Sequence, residues 1–162
     1  MKTWVKVLIV TLVVAIPAFF LGPVLFPSPT DGPAPTSVQL PFFLILAATD
    51  AVLLGLGVSF ILFGLPVIRM VSPDSKVRAW VMYISISYLM ISWWPHLNLH
   101  RSNDAGLQGI LYIDFGFHLP LEVASIALAY CFISLLVRRT RESTASIEEP
   151  AEMGEGPAEP AV

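Results

Sequence analysis

Asp114, His118 and Glu122 stand four residues apart, in a stretch (93–122) that also holds the chain's two other histidines, His96 and His100. On an α-helix each four-residue step turns a side chain by only about 40°, so the three groups share one face. Imidazole and carboxylate together are ligands for zinc, iron, manganese or copper. In a medium without water the same groups can relay protons. His96 and His100 repeat the interval and face one way if the segment after Pro95 is helical, which Pro95 in a first turn permits. Asp50, in a different apolar run, is a further ionisable group with no obvious reason to be there.

The elements that must position these residues are membrane spans. Of the 162 residues 56% are hydrophobic and only 13% charged, with a mean hydropathy of +0.75. Ordinary soluble domains carry about a quarter charged residues, so this chain needs lipid around it. Crossing about 30 Å of hydrocarbon takes roughly 20 helical residues. Four segments qualify: about 4–26, 39–65, 75–94 and 109–137. The first follows Lys2 and contains Lys6, like a signal peptide, but its apolar part is longer than a signal core and no A-x-A site follows. It reads as a retained span, kinked at Pro17. Pro66 ends the second, and Ser72–Pro73 caps the third.

The expected architecture is an all-α, integral membrane four-helix bundle over residues 1–137. An acidic tail, 138–162, is too poor in large apolar residues to build a core and is expected to be disordered. Basic residues flank the N-terminus, the loop 69–78 and the stretch after 137. The loops 27–38 and 95–108 carry only Arg101. The positive-inside rule then places both termini in the cytoplasm of a cell that has this protein in its plasma (inner) membrane. Ala47, Ala51, Gly55 and Ser59 form a small-residue stripe suited either to a neighbouring helix or to a homodimer. Ser85, Tyr88 and Ser92 share a face and read as interhelical or back-bonded hydroxyls. Cys131 is the sole cysteine, so no intrachain disulfide forms.

At about 1.5 Å per residue, Glu122 falls near the middle of the fourth span, with His118 about 6 Å and Asp114 about 12 Å nearer the outside. Asp50 counts to a depth like that of Glu122. A charge at bilayer centre costs about 2.5–3.5 kcal/mol, and no Lys or Arg lies at matching depth in any span. The expected partners are therefore a proton, an imidazole or a metal. The candidate metal ligands are His118, Glu122, Asp50, Asp114, His96 and His100. Plainer readings stand beside this one: Asp114 capping the fourth helix, His96 and His100 as loop residues, and the buried groups as a structural hydrogen-bonded cluster.

Three functions would use such a cluster. The first is a transition-metal site open to the outer face; a haem between His96 or His100 and His118 is disfavoured by their unequal depths. There is no H-E-x-x-H and no paired E-x-x-H motif, so no enzyme class is indicated. The second is a dimeric proton-coupled transporter. The third is a non-catalytic accessory or assembly subunit of a larger membrane complex. Nucleic acid is not a partner, because the basic residues form no patch apart from the span ends.

Overall fold

The computed structural model describes residues 2–28, 35–102 and 106–152, with side chains as far as Thr144 and, at the start of the fourth rod, from Gly109. Every described element is helical: α1 (Thr3–Leu25), α2 (Leu40–Val71), α3 (Lys76–Ser102), α4 (Gly106–Ile113), a π turn (Asp114–His118) and α5 (Leu119–Glu152). The last three follow one another without a break, so the chain builds four rods. Three of these, α1, α2 and the stretch Gly109–Thr144, are long and apolar enough to cross a membrane. This is a membrane protein by length and composition. The 27 residues of α3 would reach about 40 Å, but its serines, histidines and asparagine leave it less apolar than the other rods.

Three helices run further than the sequence indicated. α2 continues through Pro66 to Val71 instead of ending there. A proline inside a helix removes one N–H and frees the carbonyl four residues back, here that of Leu62; the Tyr83 hydroxyl donates to the adjacent Ile61 carbonyl. α3 begins later than expected, at Lys76, and its cap is Ser75 rather than Ser72: the Ser75 hydroxyl accepts from the Arg78 amide at 3.2 Å. It then runs through Pro95 to Ser102, so His96 and His100 are helical and not in a loop. Asn98 donates to the Trp94 carbonyl at 2.8 Å within the helix. α5 in turn continues past Val137 into the segment expected to be disordered, where Arg138 bonds Glu142 at 2.7 Å one turn on. The remainder of that tail, from 153, lies outside the described residues.

The rods pack in sequence order, α1 on α2, α2 on α3 and α3 on α5. The small-residue stripe of α2 is the seat of α1. Ala51 packs with Ala15 and Ala18, and Ser59 bonds both the Thr11 hydroxyl, at 3.0 Å, and the Val7 carbonyl, at 3.1 Å. Between them a Cβ on Gly55 would lie 2.4 Å from the Thr11 carbonyl oxygen, so the two backbones approach as only glycine allows. At the far end Ile68, Ala79, Met82, Cys131 and Leu135 tie α2, α3 and α5 together.

This antiparallel order gathers charge at one end. Eight of the nine basic residues (Lys2, Lys6, Arg69, Lys76, Arg78, Arg138, Arg139 and Arg141) lie there, with Asp74 bridging Arg78 and Arg138. Arg101 and all three histidines lie at the other.

Because Gly55 faces backbone, Gly55→Ala forces α1 away from α2. Overpacking of this kind costs about 1–3 kcal/mol, so thermal unfolding in detergent should fall clearly below that of the parent chain. An unchanged midpoint would mean that α1 does not seat on this stripe.

Candidate metal centre

The site forms where α3 meets the start of the fourth rod. His96 and His100 project from successive turns of α3, and His118 closes the π turn opposite them. Their Nε2 atoms converge into a small triangle with edges of 2.9 Å (His96–His118), 3.0 Å (His96–His100) and 3.3 Å (His100–His118). His96 is about nine-tenths buried. His100 is exposed and His118 intermediate, so the triangle opens to one side. The Phe117 ring stacks on His96 at 5.5 Å, and Trp93 meets it edge-on at 5.9 Å.

Local backbone geometry delivers His118 to this point. Pro120 has no N–H, so the Gly116 carbonyl loses its usual donor. The Tyr88 hydroxyl of α3 supplies one across the interface, at 3.2 Å. One turn earlier the Leu119 amide reaches back five residues to the Asp114 carbonyl, the bond that defines a π turn. Such turns widen the helix and re-aim side chains, and they recur at functional sites.

Asp114 acts through His118. Its Oδ1 lies 2.5 Å from His118 Nδ1. With the carboxylate ionised, Nδ1–H donates to it and Nε2 is left as a bare lone pair aimed into the triangle. The three nitrogens cannot satisfy one another. Each Nε2 carries either a proton or a lone pair, so three mutual contacts allow at most two hydrogen bonds. One edge always sets like against like. His96 adds to the imbalance, since its buried Nδ1 has no hydrogen-bond partner among the described residues. A single cation accepting three lone pairs removes the conflict.

Of the six sequence candidates, the structure therefore brings four together: three imidazoles around one point, and Asp114 behind His118. The other two stand apart. Glu122 is exposed on α5, whose buried stripe runs through Ala124, Cys131 and Leu135; two residues from Ala124 is about 200° around the helix. Asp50 is buried against Arg101, its Oδ2 3.6 Å from the guanidinium, with the Trp93 indole as a further hydrogen-bonding neighbour. A basic residue does reach the depth of Asp50, contrary to the expectation from span boundaries, because α3 extends to Ser102 and carries Arg101 alongside. Tyr88 and Ser92 behave as the sequence reading expected, Tyr88 as an interhelical hydroxyl on the Gly116 carbonyl and Ser92 back-bonded to the Tyr88 carbonyl; what the pattern did not show is that Tyr88 faces the turn opened by Pro120.

Comparison with protein-family models, curated proteins and solved structures gives no match to this chain.

Tyr88 and Pro120 should be energetically coupled. Tyr88→Phe alone strands a carbonyl and should destabilise by about 1–3 kcal/mol. In a Pro120→Ala background, where residue 120 regains its N–H, the same change should cost much less. A double-mutant cycle in detergent measures this, and additive effects would separate the tyrosine from the π turn.

Proposed function

We propose that this chain is a transition-metal-binding membrane protein whose ion is held by His96, His100 and His118, with Asp114 orienting His118. The observation that carries this reading is the triangle of Nε2 atoms. At metal–nitrogen distances of about 2.0–2.1 Å, the edge of an octahedral face is about 2.9 Å and that of a tetrahedral face about 3.3–3.4 Å. The observed edges, 2.9 to 3.3 Å, span those values. An all-imidazole set suits zinc, copper, nickel or iron and not calcium or magnesium, which take oxygen ligands. Three protein ligands leave at least one position for an exchangeable group, and an ion so held polarises a bound water or anion. The carboxylate–histidine arrangement raises the basicity of the ligating nitrogen and fixes its direction.

The level of the site supports a place at the membrane boundary. His118 precedes Arg138 by 20 residues, about 30 Å of helix, which equals the hydrocarbon thickness. If the basic end faces the cytoplasm, as the positive-inside rule favours, the histidines lie at the outer surface of the plasma membrane and α3 is a fourth span. Neighbouring spans would then cover its polar face.

Metal content of protein purified in mild detergent tests the site. About one equivalent of a transition metal is expected, lost in His118→Ala and bound about 10–100-fold more weakly in Asp114→Asn. Coordination needs neutral imidazole, so the ion should be retained at neutral pH and released on acidification. A folded sample that takes up no added zinc, copper, nickel or iron would refute the reading.

Topology is tested separately in a Cys131→Ser background. Arg141→Cys should react with an impermeant maleimide only after permeabilisation, and Ser28→Cys in intact cells. The reverse pattern would put the histidines on the cytoplasmic side.

A further inference from the structure

A second cavity lies on the opposite face of α3 from the histidines, enclosed by α1, α2 and α3, with a volume of about 610 Å³. That is within the range of about 300–1,000 Å³ typical of small-molecule sites. Its walls are apolar, with Phe19 and Phe26 from α1 and its end, Phe43 and Leu44 from α2, and Trp94 from α3; Asn98 and Arg101 form its polar end. Phe43 and Leu44 are also about half exposed on the outer surface of α2, so the cavity adjoins the bilayer sideways.

The polar end has an unmet donor. Arg101 Nη2 is buried without a hydrogen-bond partner, and so is Asp50 Oδ2, the nearest carboxylate oxygen, at 3.6 Å. That gap is too long for a hydrogen bond yet close enough for each charge to neutralise the other. The head that fits beside such a pair is a neutral group rich in acceptors rather than another anion. The Asn98 amide is spent on the Trp94 carbonyl, and its Oδ1 sits 3.3 Å from where a Cβ on Gly22 would stand, so glycine lets α1 close the cavity floor. Trp93 and Trp94 mark this level as the interface, where the headgroup region of lipids begins.

We infer that this cavity holds one acyl chain of a membrane glycerolipid, whose ester carbonyl accepts from Arg101. The site is independent of the metal centre: residues 96 and 98 are about 200° apart around α3.

Native mass spectrometry of the full chain in detergent, titrated with dioleoylphosphatidylcholine, tests it. One lipid per chain is expected to survive activation that strips the others. Retention should fall at least ten-fold in Ala47→Phe, which fills the cavity, and in the charge-free double variant Asp50→Asn/Arg101→Gln, while His118→Ala retains the lipid as the parent does. The proposal fails if no lipid outlasts the random adducts, or if Ala47→Phe unfolds like the parent and holds lipid equally well. Should Ala47→Phe not fold, equal retention in the double variant overturns it. Preference for free oleate over the phospholipid would overturn the assignment to a glycerolipid.

Discussion

The whole structure depends on keeping one polar helix out of contact with lipid. The buried residues of α3 are mostly hydrogen-bonding ones: Ser85, Ser87, Ser92, His96 and Asn98. In a medium without water each unsatisfied polar group costs several kcal/mol. α3 has neighbours on two sides, α2 on one and the fourth rod on the other. The outer faces of α1, α2 and α5 are mainly apolar, with Glu122 an exposed exception on α5. Three of the α3 hydroxyls are satisfied locally or across the interface: Ser92 on the Tyr88 carbonyl at 2.6 Å, Tyr88 on Gly116, Tyr83 on Ile61. Among the described residues, three of the four buried polar atoms without a hydrogen-bond partner lie at one end, on His96, Asp50 and Arg101; the fourth is the Ser87 hydroxyl.

The imidazole triangle and the Asp50–Arg101 pair sit on opposite faces of α3, and Trp93 lies between them, touching the His96 ring edge-on and standing beside the Asp50 carboxylate. One residue thus borders both.

The helical class, the apolar rods and the histidine pairing were legible in the sequence, because apolar length and four-residue spacing survive any error in helix boundaries. Boundary errors were what hid the rest. With α3 ended at Trp94, His96 and His100 read as loop residues and Arg101 as a residue beyond the span, so Asp50 looked unpartnered. The orientation of α5 was also hidden. In water an apolar stripe announces the buried face, but a helix in lipid is apolar all round. Nothing in the run 119–137 says that Ala124 and Cys131 face inward while Glu122 faces out. Counted along the rods, His118 is 20 residues from Arg138 at the basic end, and Asp50 is ten residues into the 32-residue α2.

The histidine triangle also bears on folding. Two of its corners are one turn apart on α3, but the third lies 18 residues beyond His100, on a different rod. An ion bound there would act as a clasp, closing that length of chain at its narrowest point and removing conformations from the unfolded ensemble. Occupancy would then be readable as rigidity: the free-energy gain of binding becomes a gain in the docking of the fourth rod against α3. The ends of these helices would loosen when the ion left and tighten when it returned.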